Sequence, residues 1–179
     1  MKQLTAIFMA GTLSLAAARA CPAQQENRMH TQTTFEVLVH APYSEAALLF
    51  SPEGERAWAG KYWDPQYLHN PAPGQDREGS VFTIAHRGGF KAVWVTTQRD
   101  LDARHFEYVY FIPDIMVTII DVRFQVVDAG TTKATVTYSR TAVTAEGDEH
   151  VKAMTQGDQT AGKEWQAAID EYFKKASSR

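Results

Sequence analysis

The chain has 179 residues, of which 44% are hydrophobic and 22% charged, with a formal net charge of −3. That length supports one domain with a real core and falls short of two, and the composition is that of a folded globular protein. No basic patch stands out, so no nucleic acid is expected as a partner.

Residues 1–20 read as an export signal. Met1-Lys2-Gln3 is a short positive start, Leu4 to Ala18 carries no charge, and Ala18 and Ala20 flank Arg19 where a signal peptidase reads small residues. The run is short for a membrane-spanning helix, which takes about 20 apolar residues. The expected location is therefore the periplasm or cell envelope. Cys21 is the only cysteine, so no intrachain disulfide forms. Two fates are open to it. Acylation would anchor the chain to a membrane as a lipoprotein, and ordinary cleavage after Ala20 would leave a free thiol. A lone cysteine at the cleavage point favours the first; Ala18 and Arg19, where a lipobox prefers Leu and a small residue, favour the second. Residues 21–32 are polar and aperiodic and read as a flexible tether, leaving 33–175 for the folded domain.

Thr33 to His40 alternates, with Phe35, Val37 and Val39 on one face, which predicts a strand. Ala41-Pro42 with Glu45, then Ser51-Pro52-Glu53, are two helix starts, so two short helices follow end to end. Trp58, Tyr62, Trp63 and Tyr67 crowd into ten residues ahead of Pro71, Pro73 and Gly74, and the second half of this stretch is expected to be irregular. Five strands are expected next: Ser80 to His86, Phe90 to Thr97, Arg104 to Ile112, Ile115 to Val127, and Thr131 to Thr144. Arg87-Gly88-Gly89, Gln98 to Asp102, Pro113-Asp114 and Asp128 to Gly130 supply the turns, and connections this short make neighbours antiparallel. From Asp148 to Lys175, Val151, Met154, Ala161, Trp165, Ala168 or Ile169, and Tyr172 form a helical stripe. Gly157 and Gly162 interrupt it and are expected to mark a kink or a close approach to the backbone, or to leave space for a pocket. The fold class is α+β, a curved antiparallel sheet of about six strands gripping a long C-terminal helix.

Phe35-Glu36-Val37 with Ala41-Pro42, Leu49 to Glu55 followed by Trp58, and Tyr62-Trp63-Asp64-Pro65 resemble bacterial members of the START-like (SRPBCC) superfamily. So do Gly79 to Phe82, Phe90 to Val95 around Trp94, Phe106 to Val109, Thr131 to Tyr138, and Trp165. This superfamily has the helix-grip fold and includes the Bet v 1-like pollen allergens and the polyketide cyclases. The resemblance implies a pocket between sheet and long helix that holds an apolar molecule such as a lipid, sterol or polyketide. It carries no shared catalytic motif, so no catalytic residue transfers.

Candidate ligand-binding residues are Trp58, Tyr62, Trp63, Phe82, Trp94, Tyr108, Tyr110, Met154 and Trp165. Each is equally a core residue by type, because a filled core and a cavity use the same side chains. No metal-ligand spacing occurs and no cofactor is expected. His105 shares a strand face with Glu107, but such neighbours lie about 7 Å apart. Asp121 and Arg123 lie opposite Ile120, Val122 and Phe124 and read as a solvated face. The leading expectation is an exported binder of an apolar small molecule. The alternatives are a cyclase or aromatase-type enzyme using Tyr108, Tyr110 or His105, and an envelope accessory that binds a protein through the sheet edge or the aromatic loop.

Overall fold

The alternation through Phe35, Val37 and Val39 becomes strand β1 (His30–Val39), with Val37 and Val39 buried. The computed structural model describes residues 27–85, 89 and 91–178. The expected export signal, Cys21 and the expected tether up to residue 26 lie outside the described residues, as do His86, Arg87, Gly88 and Phe90. His30, Thr31 and Gln32 belong to the sheet rather than to a tether, since they pair with Thr141, Arg140 and Ser139.

After β1, Pro42 opens α1 (Tyr43–Ala46), which tightens into a 3-10 turn over Ala47–Phe50. Ser51 then caps α2 (Pro52–Glu55): its Oγ accepts from Gly54 N at 3.0 Å and donates to Leu48 O at 2.8 Å. The cap satisfies one orphan amide of a very short helix and turns Pro52 and Glu55 inward.

Six further strands follow: β2 (Gln66–His69), β3 (Val81–Ala85), β4 (Lys91–Asp100), β5 (His105–Ile112), β6 (Met116–Asp128) and β7 (Thr131–Ala142). The sheet runs β1-β7-β6-β5-β4-β3-β2, antiparallel throughout. The strand beyond the expected six is β2. It lies between Pro65 and Pro71 at the sheet's edge, a place where neighbouring prolines cost no ladder bonds. β4 also runs further than expected, to Asp100. A bulge between Thr96 and Gln98 shifts its phase, so Trp94 and Thr96 are buried before it and Arg99 after it.

The inward face of the sheet is Phe106, Tyr108 and Tyr110 on β5, Met116 to Phe124 at alternate positions on β6, and Ala134, Val136 and Arg140 on β7. Helix α3 (Ala145–Ser177) packs over β1, β7 and β6. Thr144 Oγ1 accepts from Gly147 N at 3.1 Å, with Glu146 and Asp148 in the first turn and Lys174 and Lys175 in the last, both signs suiting the helix dipole. Among the described residues no helix is long and apolar enough to cross a membrane.

Several side-chain ties hold α3 down, among them Met29 N donating to Asp148 Oδ1 at 2.8 Å. At the β1 edge, Gln166 Nε2 donates to Leu38 O at 2.7 Å and its Oε1 accepts from Leu38 N at 2.8 Å. One side-chain amide thus does for an edge strand what another strand would do. Further along, Arg140 forks onto Asp158, with Nε to Oδ2 at 2.9 Å and Nη2 to Oδ1 at 2.8 Å. Its Nη1 donates to Thr118 Oγ1 at 3.1 Å and to the Tyr110 hydroxyl. Arg140 is 3% exposed and Asp158 8% exposed.

Of the two glycines in the middle of α3, Gly162 marks the expected close approach and borders an open groove on the surface beside β1. A Cβ on Gly162 would meet Phe35 Cβ at 3.1 Å, so this glycine lets helix and β1 approach closely, while Gly157 has nothing within 4 Å and faces away from the sheet. The tight position is Gly147, where a Cβ would fall 2.0 Å from Ile115 O. Gly147→Ala is expected to cost about 1–3 kcal/mol through overpacking against backbone, read as a lowered urea midpoint with an unchanged slope.

Candidate functional site

The cavity of interest begins with a cross-strand stack. Register places Phe82 opposite Trp94 and Trp94 opposite Tyr110. The rings stack accordingly, Trp94 on Tyr110 at 4.4 Å and on Phe82 at 5.8 Å. Trp63 meets Trp94 edge-on at 5.4 Å and is held there by Nε1 donating to Pro52 O at 2.8 Å. From the helix side, Trp165 packs edge-on to Trp58 at 5.0 Å and Phe35 at 5.3 Å.

Between these walls lies a partly open cavity lined by Phe50, Pro52, Glu55, Trp63, Phe82, Trp94, Tyr108, Ile120, Val122, Tyr138 and Trp165. Its volume is about 40 Å³. A cavity of roughly 150 Å³ admits benzene, so this one admits a few atoms and no ring in its present shape.

Glu55 is the ionisable carboxyl in the wall. It is 9% exposed, and no hydrogen bond or ion pair reaches it from any described residue. Burial pushes its pKa well above the ordinary value, and the nearby Asp76 carboxyl pushes the same way. Because the folded state holds this proton more tightly than the unfolded chain, stability falls as pH rises from the ordinary carboxyl range up through the raised folded-state pKa. Glu55→Gln is therefore expected to be more stable than the unaltered protein at neutral pH. The advantage should disappear below about pH 4, where both states are protonated. Urea midpoints measured across that range check it.

Behind Glu55 sits a second acid. Asp76 lies in the loop before β3, where its Oδ1 accepts from Thr96 Oγ1 at 3.0 Å and its Oδ2 lies 3.4 Å from Arg99 Nε. The Tyr108 hydroxyl is 2.8 Å from Phe50 O and 2.9 Å from Asp76 Oδ2. One phenol proton serves one of those acceptors or is shared between them. Burial raises the Asp76 pKa, against the opposing pull of Arg99 and of the Tyr108 and Thr96 hydrogen bonds. Burial also raises the hydroxyls of Tyr108 and Tyr138 well above their usual range, so both remain neutral donors at physiological pH.

Of the residues expected at the site, Trp63, Phe82, Trp94, Tyr108 and Trp165 line the cavity. Trp58 sits behind the wall, packed on Trp165 with its Nε1 donating to Leu49 O. Tyr62 is 56% exposed, beside Lys61. Tyr110 lies under Trp94 with its hydroxyl on Arg140 and on Met154 Sδ, so Tyr110 and Met154 belong to the packing around the ion pair. His105 faces away from the cavity. Its Nε2 is 2.5 Å from Asp121 Oδ2, and Arg123 Nε donates to Asp121 Oδ1 at 3.0 Å. Glu107 instead accepts from Thr97 Oγ1 at 2.8 Å, so His105 and Glu107 form no pair. This removes His105 from any proton transfer in the cavity. Glu55 was not anticipated, yet a signal exists: Pro52, Glu55 and Trp58 recur every three residues, and an acid on an apolar helical stripe is unusual.

No protein-family model matches this sequence, and no curated protein matches it. Solved structures do match. Norcoclaurine synthase from Thalictrum flavum, in complex with dopamine and hydroxybenzaldehyde, aligns with a TM-score of 0.60 at 11% identity, over 97% of this chain and 96% of that one. The chain has the helix-grip fold. Two helix-grip structures of uncharacterised bacterial proteins align as well. One from Rhizobium leguminosarum has a TM-score of 0.57 at 18% identity, over 80% of this chain and 96% of that one. One from Staphylococcus aureus has a TM-score of 0.60 at 14% identity, over 86% and 99%. Identities this low speak for the fold alone.

Proposed function

We propose that this protein binds a small, largely apolar molecule whose end enters the cavity between the sheet, α2 and α3. The observation that carries the reading is the partly open, aromatic-walled cavity itself, with a solitary carboxyl in its wall. A volume of about 40 Å³ is too small for a whole sterol or acyl chain, so such a ligand would seat one end and lay its body outside. The norcoclaurine synthase complex, with its small aromatic molecules, supports the reading by analogy of fold. Native mass spectrometry of the purified protein, with solvent extraction, is expected to reveal a co-purifying small molecule. A protein that carries nothing, and whose tryptophan fluorescence is unmoved by any member of a panel of small apolar compounds, would remove the reading.

The catalytic alternative is supported by Glu55 and the Tyr108–Asp76 contact, which bring titratable groups to the cavity. Export is likewise proposed from residues 1–20, and the mass of the mature N-terminus distinguishes an acylated Cys21 from a free thiol.

A further inference from the structure

We propose that the cavity receives a small ammonium group, primary or N-methylated, whose charge is met by Glu55 and by the faces of the surrounding aromatic rings. This rests on the reading of the cavity as a ligand site and names the polar end of what enters it.

Three observations lead here. The first is the sign of the wall. Among the described residues no cation lines the cavity; its polar members are Glu55, the hydroxyls of Tyr108 and Tyr138, and the indole N–H groups, of which Trp94 Nε1 is buried without a partner. The neighbouring arginines are committed elsewhere, Arg99 to Asp76 and Arg140 to Asp158, with Arg140 also stacked over the Tyr138 ring at 4.5 Å. The second is the ring content. Phe50, Trp63, Phe82, Trp94 and Trp165 line the space; Trp94 is stacked between Phe82 and Tyr110, so it falls to the other rings to offer the negative potential of an aromatic face, which attracts an ammonium within about 6 Å of a ring centre. An uncharged alcohol or ketone could hydrogen-bond to Glu55 and pack on the rings but would gain no charge attraction from their faces. The third is size: about 40 Å³ suits a nitrogen with one or two carbons and excludes a ring.

The protons balance simply. In the empty cavity burial, and then the nearby Asp76 carboxyl, favour the neutral form of Glu55. An arriving ammonium keeps its own proton and stabilises the carboxylate, so Glu55 gives its proton to solvent. The product is an ammonium–carboxylate pair inside an aromatic cage. The titratable groups that face Glu55 are Asp76, Tyr108 and Tyr138, and the raised tyrosines take no part.

The test uses n-butylammonium and its uncharged shape match, 1-butanol, titrated into the unaltered protein at constant ionic strength and followed by tryptophan fluorescence. Butylammonium is expected to bind at least about tenfold more tightly than 1-butanol. Glu55→Gln is expected to remove that preference, with circular dichroism showing it folded. Calorimetry of the unaltered protein in two buffers of different ionisation heat is expected to show up to about one proton released per butylammonium bound near neutral pH. Equal affinity for the two ligands, a preference that survives Glu55→Gln, or the absence of proton release would each overturn the ammonium assignment. The first of these would leave the cavity a ligand site. If neither ligand binds and native mass spectrometry also finds nothing, the binding reading falls with it.

Discussion

Asp158→Ala is expected to destabilise the protein by about 3–5 kcal/mol, the largest effect of any single change considered. The substitution removes both oxygens that accept from the Arg140 fork and leaves a guanidinium 3% exposed with its charge unmet. Thr118 Oγ1 and the Tyr110 hydroxyl remain as acceptors, but neither carries charge. The pair itself contributes much less than its breakage costs, because both ions were taken out of water to form it. A double variant, Arg140→Met with Asp158→Leu, is therefore expected to recover most of the loss. Urea unfolding of the two variants side by side checks this. If the single and double variants were equally unstable, the loss would come from packing and not from a stranded charge.

Trp165→Ala is expected to cost about 3 kcal/mol, the low end for removing a large aromatic, since the ring is only partly buried. Its indole touches the rings of Phe35, Phe50, Trp58 and Tyr138, so few neighbours can relax into the gap without losing one another. The same ring forms one wall of the cavity, and its loss joins the new void to the existing space. Added indole is then expected to bind the variant and raise its urea midpoint, while leaving the unaltered protein unmoved. An indole effect of equal size on both proteins would show that the void had closed by repacking.

Strict alternation made much of this legible in the sequence. Phe82, Trp94, Phe106, Tyr108 and Tyr110 announce an inward face by parity alone, and short turns make their strands antiparallel neighbours. The stack at Trp94 then depends on register, which parity does not supply. Arg99 was hidden by the bulge at Thr96–Gln98, which moves it from a presumed turn into the interior. Arg140 shares parity with Val136 and Tyr138, so its inward direction could be read. Its partner could not, because Asp158 reaches it only after α3 turns back over the sheet. The cavity's small volume was the least legible property of all. It is set by how far Trp63 and Trp165 lean inward, and no spacing in the chain encodes that.

The pairing of β1 with β7 carries a consequence for how the chain reaches this state. Thr34 meets Thr137 across 103 residues of intervening sequence, and Leu38 meets Gln166 across 128. Both contacts close long loops whose entropy must be overcome before any bond repays it. The meander from β2 to β7 can assemble from local hairpins, but the first strand must wait for almost the last. Until α3 arrives, the outer edge of β1 presents the Leu38 amide and carbonyl unpaired, open to a strand of another chain. The β1–β7 seam is therefore expected to close late, and the final helix acts as the guard that ends the interval of risk.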